Sequence, residues 1–198
     1  MTNLVVGLTG ASGSIYFLRL MEQLFRHSLH VHVVATEQGR RVLTYETGVV
    51  LEEQVLAWRQ GGAQVTLQAN DNMFSPIASG SFLTGGMVVL PCSMSTLAEI
   101  ATGAGKTLLP RTADVMIKER RKLILVPRET PLSAIHLGNM HALAQLGVTI
   151  LPAMPGFYHK PQSLADVVDF VVGKVLDSLE LPHECYQRWE GSHEENHC

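Results

Sequence analysis

Charged side chains concentrate between residues 111 and 132, where the chain reads RTADVMIKERRKLILVPRETPL. Arg111, Asp114 and Lys118 have the spacing i, i+3, i+7, so a helix would place them on one face, as either a binding site or a solvated charged surface. Arg128 and Glu129 instead follow a strand-like apolar run. A guanidinium can hold a phosphate through paired hydrogen bonds, and a carboxyl group whose pKa is raised can transfer a proton. This pair is therefore a candidate for phosphate binding and proton transfer.

Glycines and hydroxyl side chains follow another strand-like run, in the sequence TGASGS at residues 9–14. Gly10 and Gly13 allow close approach of the backbone, and Ser12 lies beside a predicted helix start, where free amides favour an anion. The turn lacks the G-x-G-x-x-G spacing of dinucleotide sites, and a plain strand-to-helix connection is the alternative. Further polar loops are needed to make this turn a phosphate site.

Hydroxyl groups recur after two more strand-like runs. Thr36 follows one run, and the sequence PCSMST places Ser93, Ser95 and Thr96 at a predicted helix start. Helix capping accounts for any single one of these hydroxyls, but three such loops together favour a polar ligand site. Cys92 has no general base beside it, so we expect a small buried core residue and not a nucleophile.

The elements that must carry these loops alternate between short β-rich apolar runs and segments of helical period. Strands are predicted over residues 4–8, 30–35, 87–91, 123–126 and 148–151, and helices over 15–25, 97–101, 110–120, 132–146 and 164–179. This alternation predicts a three-layer α/β fold, with a doubly wound parallel sheet between helices. Ligands of such sheets bind outside the carboxyl ends of the strands, where the polar loops would meet. The Gly-, Asn-, Ser- and Pro-rich segment 61–86 is expected to be an irregular loop.

Length and composition narrow the class of protein. The chain has 198 residues, of which 46% are hydrophobic and 17% charged, and its formal net charge is −3. We expect one domain over residues 1–182 and a polar tail over 183–198, without a general attraction to nucleic acid or to membrane surfaces. The three cysteines lie far apart, which argues against a disulfide framework. With no signal-like start and no apolar run of about 18 residues, a cytoplasmic location is expected.

Two short motifs match functional patterns in their letters but not in their context. GAGKT at residues 103–107 resembles the end of a P-loop, yet the required first glycine would fall at Ile100 and a helical run precedes the motif. HEENH at residues 193–197 matches the zinc-protease pattern, but it lies in the polar tail without further ligands. Neither a nucleotide site nor a catalytic metal is expected from them.

Several longer segments carry a family resemblance because they occur together and in order. They are TGASGS, ASGSF, PCSMSTL, RTADVMIKERR, VPRETPL, PGFYHKPQS and the late pair Arg188 and Trp189. In these segments the chain resembles the UbiX-type flavin prenyltransferases from residue 3 to residue 189. The resemblance implies a Rossmann-like (flavodoxin-like) flavoprotein fold and a homo-oligomer, typically a dodecamer, with FMN bound where subunits meet. It also implies a metal-independent reaction in which the dimethylallyl group of dimethylallyl phosphate joins N5 and C6 of reduced FMN. The prenylated FMN then serves UbiD-type decarboxylases.

The resemblance also assigns roles to residues. FMN would be contacted by Gly10, Ala11, Ser12, Thr36, Ser93, Met94, Ser95, Thr96 and Arg128. The prenyl phosphate would be held by Arg111, Lys118, Tyr158 and Lys174. The catalytic residues would be Ser12, Glu46 and Glu129, near the reacting flavin edge, together with Lys118 and Arg111.

Two residues depart from the family pattern. Asn72 stands where some members have a tryptophan near the allyl group, so an altered efficiency is expected. Lys174 stands where arginine is common and lacks the fork geometry of a guanidinium. The alternatives are a non-catalytic FMN-binding subunit and a flavin-dependent decarboxylase of the phosphopantothenoylcysteine type, whose P-x-M-N-x-x-M-W signature the sequence lacks.

Overall fold

The computed structural model describes residues 2–189 and has a six-stranded parallel sheet as its middle layer. The strands are β1 (Thr2–Leu8), β2 (Leu29–Ala35), β3 (Val65–Gln68), β4 (Met87–Cys92), β5 (Leu123–Pro127) and β6 (Thr149–Ile150). The helices are α1 (Ser14–Leu24), α2 (Glu37–Thr47), α3 (Leu51–Gln60), α4 (Met94–Thr102), α5 (Leu108–Lys118), α6 (Ala134–Gln145) and α7 (Leu164–Ser178). The predicted doubly wound α/β fold is confirmed.

The order of strands across the sheet is β3-β2-β1-β4-β5-β6, which is the Rossmann order. Each neighbouring pair is parallel, and β1 pairs with both β2 and β4. The winding therefore reverses between β1 and β4. The loops after these two strands diverge and leave a crevice at the carboxyl edge of the sheet, the usual ligand position of this architecture.

The strands alternate between two cores, one on each face of the sheet. In β1, Val6 and Leu8 pack into one core while Val5 packs into the other. The first core contains the apolar sides of α1, α3 and α7, and the second contains those of α4, α5 and α6. Strands buried on both faces read as continuous apolar runs, which is why β1, β2, β4 and β5 could be located from sequence. Helices α5 and α7 thus cover opposite faces.

Sequence patterns do not predict β3, α2 or α3. β3 is only four residues long, α2 buries only Gly39 and Leu43, and α3 buries only Leu51 and Val55. Elements with so few buried positions have a weak apolar period. The expectation of an irregular loop over residues 61–86 is therefore wrong in part, because this segment contains β3 and a short 3-10 turn at Pro76–Ala78.

The segment predicted to be a polar tail begins in contact with the rest of the chain. Residues 183–189 lie along α7, where the side chain of His183 is only 1% exposed and the Tyr186 hydroxyl donates a hydrogen bond to Asp177 at 2.6 Å. The HEENH motif and Cys198 lie outside the described residues. We name residues 183–189 the C-terminal strap.

Two further features are the environment of Cys92 and the character of the helices. Cys92 is fully buried at the end of β4, and burial raises the pKa of its thiol to about 12, as expected of a core residue. Among residues 2–189, none of the helices has the length and apolar character needed to cross a bilayer.

Candidate active site

The polar loops predicted from sequence meet in a cleft of about 380 Å³ at the carboxyl edge of the sheet. Gly10 after β1, Thr36 after β2, and Ser93, Ser95 and Thr96 after β4 all line it. At Gly10 a Cβ atom would lie 2.6 Å from Cβ of Gln38, so only glycine leaves this wall undisturbed. The carboxylates of Glu37 and Glu99 also line the cleft.

Three helices, α2, α4 and α5, begin at this cleft, and hydroxyl groups cap the first two. The Thr36 hydroxyl accepts a hydrogen bond from the Gly39 amide at 3.0 Å at the start of α2. The Ser93 hydroxyl accepts one from the Thr96 amide at 3.3 Å at the start of α4. Capping, which the sequence left open as an alternative, is thus confirmed for these two residues. The cleft nevertheless receives the amino-terminal ends of these helices, which give a favourable field for an anion.

The buried Thr9 ties the loops after β1 and β4 together. Its hydroxyl donates to the Pro91 carbonyl at 2.8 Å and accepts from the Ser93 amide at 2.7 Å. Ser93 also lies 3.1 Å from the hydroxyls of both Ser95 and Thr96. Sequence reasoning missed Thr9, although it is the first residue of the TGASGS motif, because its partner lies 82 residues away.

The amides at the start of α1 are hydrogen-bonded to a carboxylate of the same chain. The Glu46 carboxylate of α2 accepts hydrogen bonds from the amides of Gly13 at 3.0 Å and Ser14 at 2.8 Å. Burial raises the pKa of Glu46, but hydrogen bonds from the Ser12 side chain and from these amides outweigh burial and lower the net pKa. The prediction that these amides suit a phosphate is therefore corrected, since Glu46 already satisfies them.

Arg128 and Glu129 follow β5, and Arg128 reaches the loop after β1 that also contacts Glu46. The Arg128 guanidinium donates through Nε to the Ser12 carbonyl at 3.0 Å, which joins the β5 end to the β1 loop. Glu129 is exposed, and its side chain accepts from the Thr130 amide at 3.0 Å. The structure thus brings Ser12, Glu46 and Arg128 together.

The cations of α5 hold the loop that follows β3. Arg111 pairs with Asp114 at 2.7 Å and donates through Nε to the Ala78 carbonyl at 3.2 Å. Lys118 pairs with Glu119. Arg121, which sequence reasoning did not single out, donates to the carbonyls of residues 80 and 82. The face shared by Arg111 and Lys118 is therefore partly exposed and partly a loop anchor.

Tyr158 and Lys174 lie elsewhere in the chain. Tyr158 is in the loop before α7 and packs edge-on against Phe170 of α7, with ring centroids 5.7 Å apart. Lys174 is on α7 itself. Because α5 and α7 cover opposite faces of the sheet, one chain does not bring these residues together with Arg111 and Lys118. The four residues expected to hold the prenyl phosphate therefore form two separate pairs within one chain.

The remaining candidates have simple structural roles. Asn72 accepts a hydrogen bond from the Phe74 amide at 3.1 Å within its turn. GAGKT lies between α4 and α5, so it follows a helix and not a strand, as the sequence indicated. Within residues 2–189 no group of three or more His, Cys, Asp or Glu side chains has the arrangement of a metal site.

Comparison with known proteins agrees with this geometry. The chain matches the family model described as Flavoprotein over residues 1–176. The flavin prenyltransferase UbiX of Halalkalibacterium halodurans is 48% identical over 196 residues, which is 97% of this chain and 95% of that protein.

Solved structures with a similar fold include relatives of the same name and more distant proteins. AnUbiX (PadA1), in complex with FMN and dimethylallyl pyrophosphate, has a TM-score of 0.90 at 39% identity and covers 96% of this chain and 98% of its own. A dodecameric FMN-dependent UbiX-like decarboxylase from Escherichia coli O157:H7 has a TM-score of 0.90 at 40% identity, over 96% of this chain and 100% of its own. A PPC decarboxylase is 19% identical with a TM-score of 0.60, over 81% of this chain and 85% of its own, so it shares the fold alone.

Proposed function

The chain belongs to the flavoprotein family and, within it, to the UbiX-type flavin prenyltransferases, and from this we propose that it joins a dimethylallyl group to reduced FMN. The allylic carbon–oxygen bond of dimethylallyl phosphate breaks, phosphate leaves, and the freed carbon bonds to N5 of reduced FMN in place of its proton. The allyl double bond then takes up a proton at one carbon while its other carbon bonds to C6, which releases its own proton. One observation of the structure carries this proposal. The loop after β1 lines the polar cleft through Gly10, and the same loop contacts Arg128 through the Ser12 carbonyl and Glu46 through the Gly13 amide.

The residues present fit FMN. The cleft offers two capped helix starts, neutral hydroxyls and a glycine wall, a combination that suits a phosphate and a hydroxylated chain. FMN would be held by Gly10, Ala11, Ser12, Thr36, Ser93, Met94, Ser95, Thr96 and Arg128. The start of α4, and not that of α1, would receive the phosphate, because Glu46 occupies the α1 amides. Bound in the reduced form, FMN supplies the nucleophilic nitrogen N5 and the carbon C6.

Glu46 and Ser12 would act at the reacting edge of the flavin. The lowered pKa of Glu46 keeps it a carboxylate near neutral pH, so it can accept a hydrogen bond or a proton but cannot donate one. The Ser12 side chain helps to lower the pKa of Glu46, and Ser12 lies in the loop that Arg128 holds. Glu129, exposed beside Arg128, is the second proton carrier of this proposal.

The prenyl phosphate requires cations, because breaking the allylic carbon–oxygen bond leaves phosphate beside a carbocation. Arg111 and Lys118 on α5 would meet Tyr158 and Lys174 of a neighbouring subunit, since one chain places the two pairs on opposite faces of its sheet. The clamp thus needs a homo-oligomer, which we propose to be a dodecamer. Each charge-assisted hydrogen bond from this clamp would contribute about 1.5 to 3 kcal/mol.

Several finer points complete the proposal. Residues 1–182 would form the single FMN-binding domain and 183–198 a tail, of which the strap is the docked beginning. The prenylated FMN would be consumed by a UbiD-type decarboxylase, and the enzyme would work in the cytoplasm. No metal would take part.

The decisive experiment is anaerobic incubation of the purified protein with reduced FMN and dimethylallyl phosphate, followed by mass spectrometry of the released flavin. The proposal expects a flavin heavier by one C5 prenyl unit, and Arg111→Ala serves as the impaired control. Unchanged FMN with both the monophosphate and the diphosphate donors would instead indicate a non-catalytic FMN-binding subunit. Decarboxylation of a phosphopantothenoylcysteine-type substrate without prenylation would indicate the other alternative.

A further inference from the structure

A single carboxylate near the end of α7 receives four side chains. Asp177 accepts hydrogen bonds from the Tyr186 hydroxyl at 2.6 Å and from the Arg188 guanidinium at 2.6 Å. Nε2 of His183 lies 3.0 Å from the same carboxylate, and Nζ of Lys174 lies 3.5 Å away. Three of these partners belong to the C-terminal strap and the fourth belongs to α7. Asp177 therefore joins the strap to the helix.

A second contact between α7 and the strap lies one helical turn before Asp177, at Gly173. Gly173 lies four residues before Asp177, on the same helix face. A Cβ atom at Gly173 would lie 2.6 Å from the ring of Tyr186. Glycine within a helix costs about 1 kcal/mol relative to alanine, so its presence here is explained by the ring that packs against it. Two independent features of α7 thus match the same strap.

The strap leads directly to Tyr158. Trp189 follows Arg188 in the chain, and its ring packs edge-on against Tyr158 with centroids 6.0 Å apart. Tyr158 also packs edge-on against Phe170 of α7. Fixing Arg188 therefore fixes the aromatic neighbour that orients Tyr158.

The same carboxylate orients Lys174 but leaves its ammonium group able to bind another partner. The shorter contacts of Asp177 go to Tyr186 and Arg188, while the Lys174 ammonium stays at 3.5 Å and its side chain is 47% exposed. A charge held at this distance in a partly solvated place keeps its direction but remains free to bind an anion.

From this arrangement we propose that Asp177 is a positioning residue for the prenyl phosphate, because it orients Lys174 directly and Tyr158 through the strap. The inference rests on the proposed function, which gives Lys174 and Tyr158 the phosphate. Asp177 itself does not touch the substrate in this account. Replacing Asp177 should weaken the hold of Lys174 and Tyr158 on the prenyl phosphate. The FMN cleft is formed by other elements and should keep its shape.

The test compares Asp177→Asn with Asp169→Asn in the full chain. Asp169 is also a carboxylate of α7 in an ion pair, with Arg19 of α1, but its side-chain hydrogen bonds go to Arg19 and not to the strap. We expect Asp177→Asn to raise KM for dimethylallyl phosphate by about tenfold or more, with kcat and the Kd for reduced FMN changed much less. Asp169→Asn should leave this KM unchanged, and Asp177→Glu should restore part of the loss by returning the charge.

A second measurement follows the strap without turnover. Trypsin must take the Arg188 side chain into its own pocket, so losing Asp177 should speed cleavage after Arg188, read by mass spectrometry, while Asp169→Asn should not. Equal KM in Asp177→Asn and wild type, or equal cleavage rates, would overturn the positioning role. Failure of the proposed function looks different, because the wild-type enzyme would then form no prenylated flavin at all.

Discussion

Replacing Glu46 tests how the start of α1 is organised and whether a carboxylate is needed at the flavin edge. Glu46→Ala removes the acceptor of two amides in the first turn of α1, at 3.0 and 2.8 Å. Because Glu46 is exposed, the cost is that of a lost helix cap, about 1 to 2 kcal/mol. Glu46→Gln keeps one oxygen acceptor and loses only the charge at the helix start, about 0.3 to 1 kcal/mol. The two variants therefore separate capping from charge.

The assays are thermal unfolding and anaerobic prenylation. For a chain of this size 1 kcal/mol corresponds to about 2 to 4 °C, so Glu46→Ala should lower Tm by about 2 to 8 °C and Glu46→Gln by less. Turnover should fall about 100-fold or more in both, as for the loss of a positioned proton carrier. Glu53→Gln, an exposed carboxylate of α3, is the matched control.

The hydrogen bonds that Glu46 accepts also set the pH dependence of this cap. The folded-state pKa of Glu46 lies below its ordinary value of 4.5, so its stabilisation is complete above that value and is lost as the pH falls through the folded-state pKa. Wild-type Tm in Glu46→Ala would refute the capping, and wild-type turnover in Glu46→Gln would refute the need for a charged group.

Three further perturbations follow from the structure. Arg111→Ala should lower prenylation by about 100-fold or more while FMN still binds, measured by turnover and by flavin titration. Gly10→Ala should weaken FMN binding, because its Cβ would meet Gln38 at 2.6 Å, and near-normal affinity would contradict the cleft assignment. The buried His32, whose pKa is lowered to about 4 by burial and by His30, should destabilise the fold as pH falls from 6.5 to 4, by about 3 kcal/mol in total. Between these pH values the unfolded chain binds more protons than the folded chain, so the free energy of unfolding falls with falling pH. In urea unfolding experiments on His32→Gln, this pH dependence should be weaker than in the wild type by up to about 1.4 kcal/mol per pH unit.

Local patterns predicted much of the architecture because they report burial. The runs that became β1, β2, β4 and β5 are apolar throughout, since each strand is covered on both faces. The hydroxyls at Thr36 and Ser93 mark true helix starts, since a cap bonds to an amide only three residues away. α2 and α3 escaped prediction because few of their residues are buried.

The sequence by itself determined most of the sheet and of its covering helices, the polar loops at the strand ends and the motifs of the family. Only the tertiary structure decided which of those residues meet. It gave the α1 amides to Glu46, which lies 32 residues from Ser14, and it placed Arg111 and Lys174 on opposite faces of the sheet. It also gathered the strap around Asp177. A cap depends on an amide within one turn, and an apolar pattern repeats along a single strand or helix, whereas these contacts depend on the path of the chain through the whole fold.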